Sequence, residues 1–458
     1  MPRRNIVRNT ALLTASSLLM SAIGMVFQAW LAARLGPAGL GLWQLTLSVT
    51  GLAATFAISG VRFAATRLVA EELGREEAGD VRAAVRRCLA YASVFGMAAL
   101  LILLLLAEPV GMLAIEDART IPSLRLAAFS LPCIALSSAL TGYFTACGRI
   151  GRPTLVHLLE QLAEIGLVWF FLRRVPRDDL MRCAASVTLG HVLADYLSLV
   201  WMLLAYLHDR QEHASANGGS KALTGRLLHI ALPLALSAYA RSALTTVQHL
   251  LVPRGLHAAG YSADRALAGY GIVHGMALPL LLFPSCLLGA LSELTVPELT
   301  EAQVRGEMGA IRHTVRSLLK NSFLYSFAVG SFLFLCAEPL AFCVYKSSQA
   351  GRYIRILAPL VPILYTDMAA DGCLKGLGQQ LWYMGINVLD ALLGLLLVWQ
   401  LLPRFALTGY LALVYLTEIF NFVLSMWRLR LVLLRSDAPC GGHRPCGGSE
   451  RCAYRAAS

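Results

Sequence analysis

The sequence predicts an all-α polytopic membrane protein of about twelve transmembrane helices, built from two six-helix repeats that run in the same direction. Three observations carry that expectation. The chain of 458 residues is 57% hydrophobic and only 14% charged, with mean hydropathy +0.63, where a soluble protein would carry about 25% charged residues. Apolar runs of 18–25 residues recur along it, each long enough to cross a ~30 Å hydrocarbon layer. Shifted by 230 residues, the second half falls on the first, with 14 identities in 39 positions over residues 71–109 and no gap.

Lipid offers the backbone no hydrogen-bond partners, so each crossing segment must satisfy its own, and helices do so. The alternating pattern of a barrel strand is absent. The spans are expected at 9–33, 39–62, 88–107, 122–146, 153–172, 182–206, 227–252, 267–291, 318–337, 353–374, 380–402 and 408–431. The first is too long for a signal-peptide core. It also has an interior counterpart: at a shift of 220, Ala11, Leu12, Ser17, Gln28 and Arg34 meet Ala231, Leu232, Ser237, Gln248 and Arg254. Prolines at 109/339, 132/362, 233, 279 and 284 break or bend spans.

The repeat includes charges, glycines and prolines, which match by chance far less often than apolar residues. Glu71/Glu301, Arg75/Arg305, Arg82/Arg312 and Ala107-Glu108-Pro109 on Ala337-Glu338-Pro339 are examples, and Glu160 meets Asp390. A duplicated membrane domain whose halves run the same way is a transporter architecture, with the substrate path between the halves. Half one is expected at 1–207 and half two at 225–432, joined by a polar cytoplasmic linker at 208–224 and followed by a disordered tail at 433–458. The loops 71–87 and 293–317 read as short amphipathic helices at the membrane surface.

Lys and Arg set the orientation. The side holding both termini has 24 of them, the other side 13, and Arg62 and Arg241 fall within spans. Both termini are therefore expected in the cytoplasm. One cluster runs against the bias: Arg173, Arg174, Arg177 and Arg182 lie outside.

Charges inside spans are the functional candidates, because each is costly to bury without water or a partner. Arg241 lies about fifteen residues into the seventh span, roughly 22 Å at helical rise. It is expected to line a hydrated cavity with Arg62, Gln28 and Gln248, where a guanidinium suits an anionic headgroup such as a diphosphate. A structural ion pair with Asp367 or Asp195 is the other reading of Arg241. Glu160, Glu164, Asp390, Asp195, Asp367 and Asp371 are candidates for coupling to H⁺ or Na⁺, since paired buried carboxylates hold a cation or a proton. Glu418 and Asn421 form a further i, i+3 pair. Polar glue between helices is their alternative role. Arg67, Glu71, Pro297 and Glu298 are placed at a cytoplasmic gate.

No dinucleotide fingerprint, Walker loop, zinc-protease motif or serine elbow is present, so neither an enzyme nor an ATP-driven pump is expected. The net charge of +12 is read as topology and contact with anionic lipid rather than nucleic-acid binding. No metal or other cofactor is expected. Cys440, His443, Cys446 and Cys452 in the tail match no recognised zinc spacing.

Particular stretches carry a resemblance. They are Ala33-Arg34-Leu35-Gly36 with Gly39-Leu40-Gly41, Thr66-Arg67-Leu68-Val69-Ala70-Glu71, Gly275-Met276-Ala277-Leu278-Pro279 leading to Phe283-Pro284, and Val296-Pro297-Glu298-Leu299-Thr300-Glu301. In order and spacing the chain resembles the stage V sporulation protein B-like polysaccharide flippases. These belong to the multidrug/oligosaccharidyl-lipid/polysaccharide exporter superfamily. The resemblance implies a V-shaped pair of bundles working by alternating access in the bacterial cytoplasmic membrane. It also implies an isoprenyl-diphosphate-linked sugar as substrate, membrane lipids as surroundings, a monomer, and a setting in sporulation or wall synthesis. Relatives in the lipid-linked branch use cavity arginines for the diphosphate, whereas the family commonly has an apolar residue near position 62. An ion-coupled drug or cation antiporter and a non-transporting scaffold for wall synthesis are the alternatives.

Overall fold

Two long helices, Arg3–Ile58 and Gln380–Arg435, each fold back on themselves, and this completes the count of spans. Ser21 and Gln44 line one pocket, although a straight helix would hold them about 35 Å apart. Asp390 and Glu418 likewise line one cavity, against about 42 Å in a straight helix. The first fold falls at Gly36, whose φ of 71° and ψ of 176° suit a residue without a Cβ. Pro37 follows and removes a backbone donor. The second falls at Ala406, with φ 49°. The computed structural model describes residues 3–74, 81–176, 179–209 and 222–435, and among these every regular element is helical.

Among the described residues, nine helical stretches are long and apolar enough to cross a membrane, and Ala118–Ala128 with Leu131–Ala146, bent by 44°, make a tenth. Dividing the two folded helices gives twelve, six per half. We number them α1 (3–35), α2 (37–58), α3 (Val81–Pro109), α4 (118–146), α5 (Gly151–Leu172) and α6 (Leu180–Asp209). The second half has α7 (Ala222–Ala258), α8 (Ala263–Gly289), α9 (Met308–Leu335), α10 (Ser348–Gly376), α11 (380–405) and α12 (407–435).

Two boundaries differ from the sequence expectation. The second span ends at Ile58 rather than 62, because Ser59 and Gly60 adopt φ of 43° and 71° and turn the chain. Arg62 therefore sits past this break, on the helix Val61–Leu73, which continues the same apolar stretch. The surface helices expected at 71–87 and 293–317 are not independent. Val81–Pro109 enters the membrane as one helix, and Cys286–Arg305 continues directly from α8. Residues 75–80, 177–178, most of the linker (210–221) and the tail from 436 lie outside the described residues.

The halves meet closely along one face. At Gly41 of α2 an added Cβ would lie 2.2 Å from the Leu267 carbonyl oxygen, and at Gly271 of α8 it would lie 2.1 Å from that of Pro37. Only hydrogen fits at that crossing. Apolar side chains from both halves form one continuous buried cluster, from Leu31 through Tyr143 to Tyr270 and Val414. By contrast, Leu105 and Trp399 are 78% and 72% exposed, as expected of surfaces that face acyl chains.

Asp209 anchors the end of α6. It has no exposed surface, pairs with Arg149 and Arg152, and accepts a hydrogen bond from Tyr143 Oη at 2.7 Å. This fixes the last turn before the chain leaves the first half.

Candidate functional site

The wall between the halves is built from α2 and α7, which are joined at several heights. Ser48 Oγ lies 2.8 Å from His249 Nδ1, and Thr246 donates to the Ser48 carbonyl at 3.1 Å. Nearer the end that holds the termini, Thr55 donates to Ser242 at 3.3 Å and Tyr239 to Ser59 at 2.6 Å. There Arg226 pairs with Glu71 and, at 3.1 Å, with Glu72. At the opposite end Arg254 meets Glu116 at 3.0 Å and Arg119 meets Asp264 at 2.8 Å, both across the halves.

Behind this seam opens a cavity of about 810 Å³. Its wall takes Ser48, Gly51 and Thr55 from α2, Arg241, Gln248 and His249 from α7, and Asp367, Asp371, Asp390 and Glu418 from α10, α11 and α12. The structure thus gathers five of the expected residues, Arg241, Gln248, Asp367, Asp371 and Asp390, into one chamber. Arg241 is exposed within it, and no carboxylate lies within ion-pair distance of its guanidinium among the described residues. The expected alternative, a structural pair with Asp367 or Asp195, is not formed. Asn421 donates to Asp367 at 2.7 Å and Ser425 to Asp371 at 3.2 Å. One oxygen each of Asp367 and Asp390 is buried with no hydrogen-bond partner. Such atoms are costly in a low-dielectric interior unless an ion, proton or water meets them.

Gln28 lies outside this chamber, in an adjoining pocket of about 470 Å³ between α1, α2 and α8. Its position follows from the sequence of α8. Pro279 has no N–H to give to the carbonyl of Gly275, and Gln28 Nε2 donates to that carbonyl at 3.0 Å. The helix widens to a π turn over Gly271–Ala277 at this point.

Glu160, Glu164 and Asp195 form a second, separate cluster inside the first half. Glu160 faces His157 at 3.1 Å and Ser198 at 2.6 Å; His191 faces Glu164 at 3.2 Å and Asp195 at 3.9 Å. The repeat register relates the two clusters: His157/Asn387, Glu160/Asp390, His191/Asn421 and Asp195/Ser425. Each half carries polar groups at the same depth, with imidazoles facing the acids in the first and amides or hydroxyls in the second.

Arg62 does not join the cavity; it is exposed on the helix Val61–Leu73. Arg67 and Glu71 pair with each other at 3.0 Å, and Glu71 reaches across to Arg226. Glu298 accepts from Thr314 at 3.4 Å within the second half, and the side chain of Pro297 lies outside the described ones. Sequence reasoning missed His249 and His274 as cavity residues. Glu418 was legible as the i, i+3 partner of Asn421. His249 gave no signal, because its partner Ser48 comes from the other half, and His274 stacks at 5.2 Å on the ring of Tyr270, its own i, i+4 neighbour.

The polysaccharide biosynthesis protein family matches residues 6–303, and the MatE family matches residues 256–399. Stage V sporulation protein B of Bacillus subtilis (strain 168) is 24% identical over 402 residues, covering 86% of this chain and 77% of that protein. Among solved structures, lipid II flippase MurJ in an inward closed conformation superposes with a TM-score of 0.72 at 11% identity, covering 93% of this chain and 90% of that one. An inward-facing multidrug resistance MATE family transporter of the MOP superfamily gives 0.63 at 15% identity, covering 92% and 96%. The fold of twelve helices in two repeats is shared with both. With the family match spanning well over half its length, the chain belongs to the polysaccharide biosynthesis protein family.

Proposed function

We propose that this chain is a flippase that carries an isoprenyl-diphosphate-linked sugar, a peptidoglycan or polysaccharide precursor, across the bacterial cytoplasmic membrane. The carrying observation is Arg241, a guanidinium on the wall of a large chamber with no carboxylate beside it among the described residues. A diphosphate supplies the missing charge, and a planar fork binds it through paired hydrogen bonds. The two halves rock about the α2–α7 seam, so the chamber meets first one leaflet and then the other. Both termini lie in the cytoplasm and the chain works as a monomer. It transports rather than catalyses, and it uses no cofactor beyond a coupling ion, H⁺ or Na⁺, at Asp367, Asp371, Asp390 and Glu418. The likeness to stage V sporulation protein B supports a role in sporulation or wall synthesis.

The same four acids favour a second reading, ion-coupled export of a cationic drug. Complementation separates the two: a strain lacking its lipid-linked precursor flippase receives the wild type, Arg241→Ala or Asp390→Asn. Rescue by wild type and failure of Arg241→Ala at equal abundance supports the flippase. Absence of rescue with restored dye export supports the antiporter.

A further inference from the structure

On the outer surface of the first half, α1 and α5 leave a groove of about 660 Å³ that none of the described residues fills. Its lining is wholly apolar and includes Ile23, Val26 and Trp30 from α1 with Ile165, Gly166 and Trp169 from α5. Val26 is 71% exposed and Trp169 50%, so the groove opens toward lipid rather than toward the central chamber. From Ala22 to Trp30 it runs eight residues, about 12 Å at helical rise, most of the ~15 Å that one leaflet's hydrocarbon occupies.

Two arginines stand at its membrane-surface end. Arg173 lies over the Trp169 ring, 4.9 Å from its centroid, and Arg174 over the Phe170 ring at 3.9 Å. Trp169 is thus both a wall of the groove and the seat of a guanidinium. Neither arginine has a carboxylate within ion-pair distance among the described residues, and both are exposed. Arg34 does not compete with them, since it caps the end of α5 through the carbonyls of Leu172 at 3.0 Å and Val175 at 2.8 Å. These are the arginines that run against the charge bias of the loops. Interfacial aromatic rings explain anchoring, but they do not explain two unpaired cations on the disfavoured side.

We propose that this groove binds one anionic phospholipid of the leaflet facing away from the termini, with an acyl chain between α1 and α5 and its headgroup phosphate at Arg173 and Arg174. Calling that leaflet the outer one rests on the topology proposed above; the site itself does not. Charge complementarity selects the occupant. Stacking on the rings holds each guanidinium with its N–H edges free for phosphate oxygens, and the apolar walls require a chain rather than a soluble anion. The bound lipid would pack along α1, whose opposite face carries Gln28 toward the seam between the halves.

The test uses the full chain in vesicles containing either phosphatidylglycerol or phosphatidylcholine brominated on one acyl chain, with tryptophan fluorescence as the readout. Two arginines at a membrane surface favour the anionic lipid roughly thirtyfold. Brominated phosphatidylglycerol should therefore quench more strongly at equal mole fraction. The excess should vanish in Trp30→Phe/Trp169→Phe, which removes the reporters, and in Arg173→Gln/Arg174→Gln, which removes the charge. Gly166→Leu provides an arm that does not threaten folding, because a Cβ at Gly166 meets nothing within 4 Å. It should fill the groove and abolish the excess with transport measured separately. Equal quenching by the two lipids, or an excess that survives loss of both arginines, overturns the proposal. So does displacement of the brominated lipid by a polyisoprenyl diphosphate at far lower mole fraction, which would assign the groove to the transported substrate.

Discussion

Asn421 holds Asp367 by a hydrogen bond of 2.7 Å across α10 and α12, while the other oxygen of Asp367 is buried without a partner. Replacing Asn421 by Leu removes a donor from a buried carboxylate, a loss of about 1–3 kcal/mol. Asn421→Leu should lower thermal stability by that amount, whereas Asn421→His, which installs the residue of the first repeat, should restore part of it. Transport by the leucine variant should fall about tenfold, the rate equivalent of ~1.4 kcal/mol.

Gly41 tests the seam. A side chain there collides with the Leu267 carbonyl oxygen at 2.2 Å, and backbone cannot yield as a flexible side chain can. Gly41→Val should fold and reach the membrane, yet keep the two halves apart at the end away from the termini. Spin labels on positions 38 and 264 should report a longer separation than in the wild type, and transport should stall. An unchanged distance with normal transport would mean that α2 and α8 need not close.

These two sites also mark where the sequence was and was not readable. The span count, the doubling and the chamber acids were legible, because burying charge in lipid is so costly that an acid in an apolar run points to a function. Pro279 was legible as a break, but the hydrogen bond it permits between Gln28 and Gly275 was not, since it joins residues 247 positions apart. Arg62 was misplaced for a local reason. Ser59 is not a residue that announces a left-handed turn, and the break at Ser59-Gly60 puts Arg62 on the following helix, away from the chamber lining. His249 carries no local signal, since its partner Ser48, 2.8 Å away, belongs to the other half.

Asp209 should govern stability without touching transport directly. It is fully buried between Arg149, Arg152 and Tyr143. Removing one member of such a group strands the others and costs about 3–5 kcal/mol. Asp209→Ala should therefore show a markedly lower unfolding temperature in detergent than wild type. A variant of unchanged stability would show that the arginines find solvent at no cost.

The ion pair of Arg254 with Glu116 links the halves at an exposed surface, where Glu116 retains 55% of its side-chain exposure. Such pairs contribute at most about 1 kcal/mol. Arg254→Glu or Glu116→Arg alone should weaken closure at that end and slow transport by a few-fold, and the double exchange should recover the loss. Raising the salt concentration should shrink all of these differences together.

The central claim is that the unpaired guanidinium of Arg241 receives a diphosphate inside the chamber, and flipping in proteoliposomes tests it most directly. Purified protein would be reconstituted with a fluorescent isoprenyl-diphosphate-linked sugar, and its appearance in the opposite leaflet followed by a membrane-impermeant quencher. Wild type should accelerate the transfer, Arg241→Lys should retain part of that rate, and Arg241→Ala should fall to the protein-free background. Transfer by Arg241→Ala at the wild-type rate would contradict the account.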